Sequence, residues 1–166
     1  MILDVVQYPH AILKTPSEPV RPLDLYVQKL ARDMMATMLH HPRCVGLAAS
    51  QVGHALRILT IDARRIEKPG SYQGRLALAN PKVLSMRGQR LIREGCLSVP
   101  DYTGNVLRAE SLTLEAWTLE GKKLEIHADG FEAIVFQHEL DHLEGKLFLD
   151  RVASVETDVF RRKRYG

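Results

Sequence analysis

Residues 138–142 read His-Glu-Leu-Asp-His, an H-E-x-x-H pattern inside an apolar segment. Side chains four apart lie one above the other on a helix, so the imidazoles of His138 and His142 converge on one point. Both share a stripe with Phe131, Ile134 and Val135, which turns them inward. A buried neutral imidazole is a preferred donor to a divalent transition metal, and it is costly to bury without a partner. Glu139 is turned ~100° from His138. It can reach a water activated by the ion without being a ligand, as a general base must.

Such a site needs a third protein ligand. No histidine follows His142, Glu144 lies too close along the same helix, and Glu156 lies beyond a separate apolar segment. The best donor is upstream, at Cys96 in Glu94-Gly95-Cys96-Leu97-Ser98. A cation would stabilise its thiolate, and Gly95 lets the backbone come close. Alone, Cys96 would read as an inert buried thiol. Beside H-E-x-x-H it reads as a ligand.

These residues need elements to hold them. Gly130 to about Glu144 has helical periodicity, and Gly145 is a natural stop. Residues 1–22 read as an extended arm, because Pro9, Pro16, Pro19 and Pro22 discourage a helix. Asp24 offers an N-cap to a helix that buries Val27, Leu30, Ala31, Met34, Met35 and Met38 and ends before Pro42. Strands are predicted at Leu56–Ile61, Leu76–Ala79, Lys82–Met86 and Gln89–Ile92, with a turn around Gly88. Leu112, Leu114 and Ala116 alternate with polar residues, and Glu120-Gly121 makes a turn before Lys123–His127. The fold class is therefore α+β, antiparallel strands packed around a central C-terminal helix that carries H-E-x-x-H.

Length and composition fit that picture. The 166 residues suit one domain, residues 1–166, and 45% apolar with 26% charged residues is the balance of a chain that buries a core. No apolar run approaches the ~18–20 residues of a membrane span. The N-terminus lacks the basic head of a signal peptide, so the expected compartment is the cytoplasm. Two cysteines, Cys44 and Cys96, make no disulfide scaffold. Residues 146–166 hold six basic against three acidic residues, which accounts for the whole net charge of +3. That is too little for a nucleic-acid wrapper, and no DNA partner is expected.

Three blocks resemble, in order, the signature motifs of the peptide deformylases, and the resemblance covers nearly the whole chain. Cys44-Val45-Gly46-Leu47-Ala48-Ala49-Ser50-Gln51 is similar to the first, usually G-x-G-x-A-A-x-Q. Glu94-Gly95-Cys96-Leu97-Ser98 matches the second, and Gln137-His138-Glu139-Leu140-Asp141-His142 the third. The resemblance implies removal of the N-terminal formyl group from newly made formyl-methionyl polypeptides, releasing formate. It implies one Fe(II) per chain, replaceable by nickel, cobalt or zinc. It matches Cys96, His138 and His142 to the ligands and Glu139 to the catalytic carboxylate. Gln51 and the backbone N–H of Leu97 match the oxyanion donors. Val45, Gly46, Gly95, Ile134 and Val135 are candidate walls of a pocket for the methionine side chain, and Glu94 and Arg108 match a salt-bridged pair behind the site.

The chain departs from the pattern at Cys44, which replaces a glycine and would narrow any pocket it faces. Asp141 is a candidate to orient a neighbouring histidine or another polar group. Two rival functions stand beside the resemblance. An H-E-x-x-H endopeptidase lacks its downstream ligand here, and a catalytically dead binding module would not need every matched position intact. Val152–Tyr165 is predicted to continue as a short helix ending in Arg161, Arg162, Lys163 and Arg164. That basic tail, with a loose resemblance to ribosome-docking segments of the family, makes the ribosome a candidate partner.

Overall fold

The computed structural model describes residues 1–66, 68, 70 and 72–162. After the proline-rich arm, broken only by a short turn of 3-10 helix at Ala11–Lys14, helix α1 runs from Leu25 to His40. The Asp24 carboxylate caps it by accepting from the backbone N–H groups of Tyr26 (2.8 Å) and Val27 (3.4 Å). Val27, Leu30, Ala31, Met34 and Met38 are buried as the periodicity requires, with Met35 half-buried on the flank.

Eight strands follow: β1 (Gly46–Ala48), β2 (Ile58–Ile61), β3 (Leu76–Arg87), β4 (Arg90–Cys96), β5 (Val99–Arg108), β6 (Ser111–Thr118), β7 (Lys123–Asp129) and, after the last long helix, β8 (Val159–Arg161). They form two antiparallel sheets, one ordered β1-β2-β3-β6-β7 and one ordered β4-β5-β8. Helix α2 spans Gly130–Leu143 and packs on the larger sheet. Leu112, Leu114 and Ala116 of β6 and Ile126 and Ala128 of β7 meet Ala133, Phe136, Leu140 and Leu143 of α2 in the main core. A second cluster seats α1 on Leu47, Ala49, Val52 and Ile58. A third places Cys96, Val99 and Val106 of the smaller sheet over Leu13, Leu147 and Phe148. The architecture is the predicted α+β one.

Three local expectations need correction. The predicted breaks between residues 76 and 92 reduce to one, because β3 continues through Asn80-Pro81 as a bulge with a register shift between Ala79 and Lys82. Asn80 takes a left-handed φ of 52° and ties the arm down, accepting from Val20 N (2.9 Å) and donating to Val20 O (2.7 Å). Strand β5 is absent from the predicted strands; it contains Pro100, Asp101, Gly104 and Asn105, residue types weak in strands, and pairing on both sides overrides that weak local preference. The C-terminal segment is not one helix. A single turn, α3 (Val155–Asp158), gives way to β8, whose Phe160 and Arg161 pair with Thr103 and Tyr102. Lys163 and Arg164 of the basic tail lie outside the described residues.

Candidate metal centre

Cys96 ends β4 at a tight turn in which it faces Val99, and His138 and His142 lie on successive turns of α2. The Cys96 Sγ stands 3.4 Å from His142 Nε2, which stands 3.3 Å from His138 Nε2. All three donor atoms fall within 4.8 Å of one another. Donors at ~2.0–2.3 Å from one tetrahedral ion sit about 3.3–3.6 Å apart. The spacing and the thiol-imidazole chemistry therefore fit a divalent transition metal.

Charged residues behind the triad fix its orientation. Glu94 Oε1 lies 2.8 Å from His138 Nδ1, which orients the ring so that Nε2 faces His142. Arg108 grips Glu94 with two prongs, Nε to Oε2 at 2.5 Å and Nη2 to Oε1 at 2.9 Å. Its third nitrogen, Nη1, donates to Asp141 at 2.6 Å, and Asp141 also receives two bonds of 2.8 Å from Arg151. Burial pushes the Glu94 carboxyl up, but the hydrogen bonds from Arg108 and His138 outweigh it and hold it at about 2. The expected Glu94–Arg108 pair is thus present. Asp141 is seen to hold two arginines rather than a histidine.

Glu139 is 2% exposed. Burial pushes its carboxyl up to about 7, the range in which a general base works. One of its oxygens, Oε1, is 3.9 Å from His138 Nε2, and the other, Oε2, is buried with no hydrogen-bond partner. Burial pulls His142 well below the usual imidazole range, so it is neutral and ready to coordinate. Gln51 comes from a short 3-10 helix, Ala49–Val52, that follows β1. Its Oε1 accepts from Ala48 N (3.0 Å), which aims its Nε2 at Cys96 Sγ (3.4 Å) and Ser98 Oγ (3.2 Å).

A cleft of about 520 Å³ opens on this group, lined by Val45, Gly46, Gln51, Gly95, Cys96, Leu97, Ile134, Val135, His138 and Glu139. Every predicted site residue except His142, which lies buried beneath, is in its wall. Gly46 is required to be glycine, because a Cβ there would stand 2.9 Å from Glu139 Cγ and 3.1 Å from Val135 Cγ1. Cys44 is also in the wall, its thiol donating to Gly46 O at 3.3 Å and pushed up to about 12 by burial. A larger cleft of about 750 Å³ lies against another face of α2, beside Gln137, Leu140, Asp141 and Glu144, and touches none of the triad. Sequence reasoning missed Arg151 as a partner of Asp141 and Ser98 as a partner of Gln51. A carboxylate inside the buried stripe of α2 was the signal for the first, and nothing local signalled the second.

The polypeptide deformylase family model matches residues 2–158. The peptide deformylase of Syntrophobacter fumaroxidans is 40% identical over 162 residues, 98% of this chain and 93% of that protein. A peptide deformylase structure from Legionella pneumophila superposes with a TM-score of 0.84 at 37% identity, covering 94% of this chain and 89% of that one. A class I type b peptide deformylase from Acinetobacter baumannii, bound to Met-Ala-Ser, superposes at 0.82 with 35% identity, covering 92% and 99%. Fold and site together define a hydrolase of amide bonds with a Cys/His/His metal group. The chain belongs to the polypeptide deformylase family, enzymes that remove the formyl group from N-terminal formyl-methionine.

The Glu94 carboxyl predicts an acid-sensitive fold. Its ordinary value is 4.5 and its folded value about 2, so its stabilisation is complete above the ordinary value and is lost as pH falls toward 2. Urea unfolding should weaken more steeply over that window in the wild type than in Glu94→Gln, which has no such proton to bind. Parallel slopes would show that Glu94 does not carry the dependence.

Proposed function

We propose that Cys96, His138 and His142 hold a single divalent cation and that Glu139 moves the proton in deformylation. The observation that carries this is that His142 Nε2 stands 3.4 Å from Cys96 Sγ and 3.3 Å from His138 Nε2, with all three donors within 4.8 Å, beside a buried carboxylate with a free oxygen. One thiolate with two imidazoles suits Fe(II) and Zn(II) alike. The assignment of Fe(II) as the native ion, with nickel, cobalt or zinc as substitutes, rests on the family resemblance. When bound, the ion acidifies water and draws charge from a carbonyl oxygen.

The chain's own residues do the rest. Glu139 accepts a proton from the attacking water as its oxygen bonds to the formyl carbon. Gln51 Nε2 and the backbone N–H of Leu97 donate to the oxygen on which negative charge collects, each such donor typically contributing ~3–4 kcal/mol. Glu139 then passes its proton to the methionine nitrogen as the carbon–nitrogen bond breaks, leaving formate and a free amine. Val45, Gly46, Ile134 and Val135 enclose the methionine side chain, with Gly95 beside the peptide. The related A. baumannii structure bound to Met-Ala-Ser supports a peptide led by methionine in this cleft. An endopeptidase reading has no observation in its favour.

The substrates are formyl-methionyl nascent chains, which makes the cytoplasm the working compartment; no described helix is long and apolar enough to cross a membrane. Arg161 is exposed and starts the basic segment 161–164, which favours salt-dependent attraction to a ribosomal RNA surface. Removing residues 163–166 should weaken ribosome co-sedimentation at low salt, and equal sedimentation of both forms would end that part of the proposal.

Glu139→Gln should keep its bound metal and lose roughly 10²–10⁴-fold or more in turnover of a formyl-Met peptide. Formate release near the wild-type rate from metal-loaded Glu139→Gln would refute the base. The two cysteines should separate cleanly in metal analysis after anaerobic dialysis. Cys96→Ala loses the ion and Cys44→Ala keeps it, whereas full occupancy in Cys96→Ala would remove Cys96 from the ligand set.

A further inference from the structure

Strand β8 delivers Arg162 to the lip of the catalytic cleft. Its backbone N–H donates to Asp101 O (2.8 Å), and its guanidinium rests against Gly95, so closely that a methyl group there would overlap Nη2. Gly95 immediately precedes Cys96, so the guanidinium stands beside the triad's own strand end. The Arg162 Nε is buried with no hydrogen-bond partner, and no ion pair engages the side chain among the described residues. That nitrogen has lost hydration without gaining a partner, whereas Nη1 and Nη2 are not buried in this way.

Cations predominate around it. Arg43 and Arg93 are exposed in the same wall, and Arg93 stacks 3.8 Å over the Phe160 ring, two residues before Arg162. Among the described lining residues the carboxylates are Glu94, already held by Arg108, and Glu139 at the floor. Asp101 faces an adjoining depression with Tyr102, Arg161 and Arg162. A guanidinium fork is matched by a carboxylate, which it binds through two parallel hydrogen bonds. An extended peptide advances ~3.3–3.6 Å per residue. With its formyl group at the triad and its methionine in the pocket, its second and third residues reach this lip.

We propose that Arg162, supported by Arg43 and Arg93, is a specificity-determining residue that binds a carboxylate side chain at the second or third position of the formyl-methionyl peptide. This rests on the hydrolytic reading above. The guanidinium gains the partner that the fold leaves out, and the arginine rim draws acidic peptides toward the cleft.

The test uses metal-loaded enzyme and amidated formyl-Met peptides that differ only by Glu or Gln at the second or third residue. Amidation removes the terminal carboxylate, so only the side chain differs in charge. The wild type should favour Glu by roughly three- to tenfold in kcat/KM, carried by KM, and less so as salt rises from ~50 mM to ~0.5 M. Arg162→Ala should bring the ratio near one, Arg162→Glu should invert it, and Arg162→Lys should keep part of it. Should Arg162→Ala fail to fold, the Lys and Glu variants still decide. A wild-type ratio near one, a ratio unchanged in the variants, or equal acceleration of both peptides in Arg162→Ala would each overturn the proposal. Formate from neither peptide would instead refute the hydrolytic reading beneath it.

Discussion

The catalytic end of the molecule hangs on one buried guanidinium. Arg108 is 2% exposed, and its nitrogens join Glu94 on the smaller sheet to Asp141 on α2. Taking such charges out of water is expensive unless every one is paired, and breaking a buried pair typically costs ~3–5 kcal/mol. The helix with its two histidines and the strand with its cysteine are therefore locked at a fixed separation by the same residue. Hydrophobic packing brings α2 onto the larger sheet, but packing alone is non-directional. The forked contact supplies the direction.

The arrangement is also balanced in charge. Arg108 and the exposed Arg151 offset Glu94 and Asp141, so the four charges together are neutral. Glu94 can orient His138 and strengthen it as a donor without delivering an unopposed negative charge to the ligand triad. The electrostatics felt at the triad then come largely from its own thiol and from Glu139, the residues proposed to carry the chemistry. Glu139 has no arginine or lysine paired with it among the described residues, and burial raises it, while Glu94, gripped by Arg108, is held low.

Much of this was legible in the chain. The histidine pair, Glu139 and the helix that carries them follow from a 3.6-residue period and the H-E-x-x-H spacing, and Cys96 was the best upstream donor once no downstream residue suited. The α1 cap and the alternation of β6 were equally plain, because each is written in local residue types. What stayed hidden depends on distant neighbours. Strand β5 contains residues that resist a strand, and only β4 on one side and β8 on the other make it one. Arg151 and Ser98 reach their partners through the fold, at separations no local pattern encodes. The tail was expected to continue as a helix, whereas its Phe160 pairs into the smaller sheet and lies under Arg93.

Both walls of the cleft are sheet margins. Among the described residues β1 pairs only with β2, and β4 only with β5, so each keeps one flank of main-chain groups without a described strand beside it. Open flanks usually invite indiscriminate pairing with other chains. Here both flanks border the cleft, with Gly46 and Gly95 in its walls. An open flank is a template with which an extended chain can pair through main-chain hydrogen bonds alone, whatever its side chains.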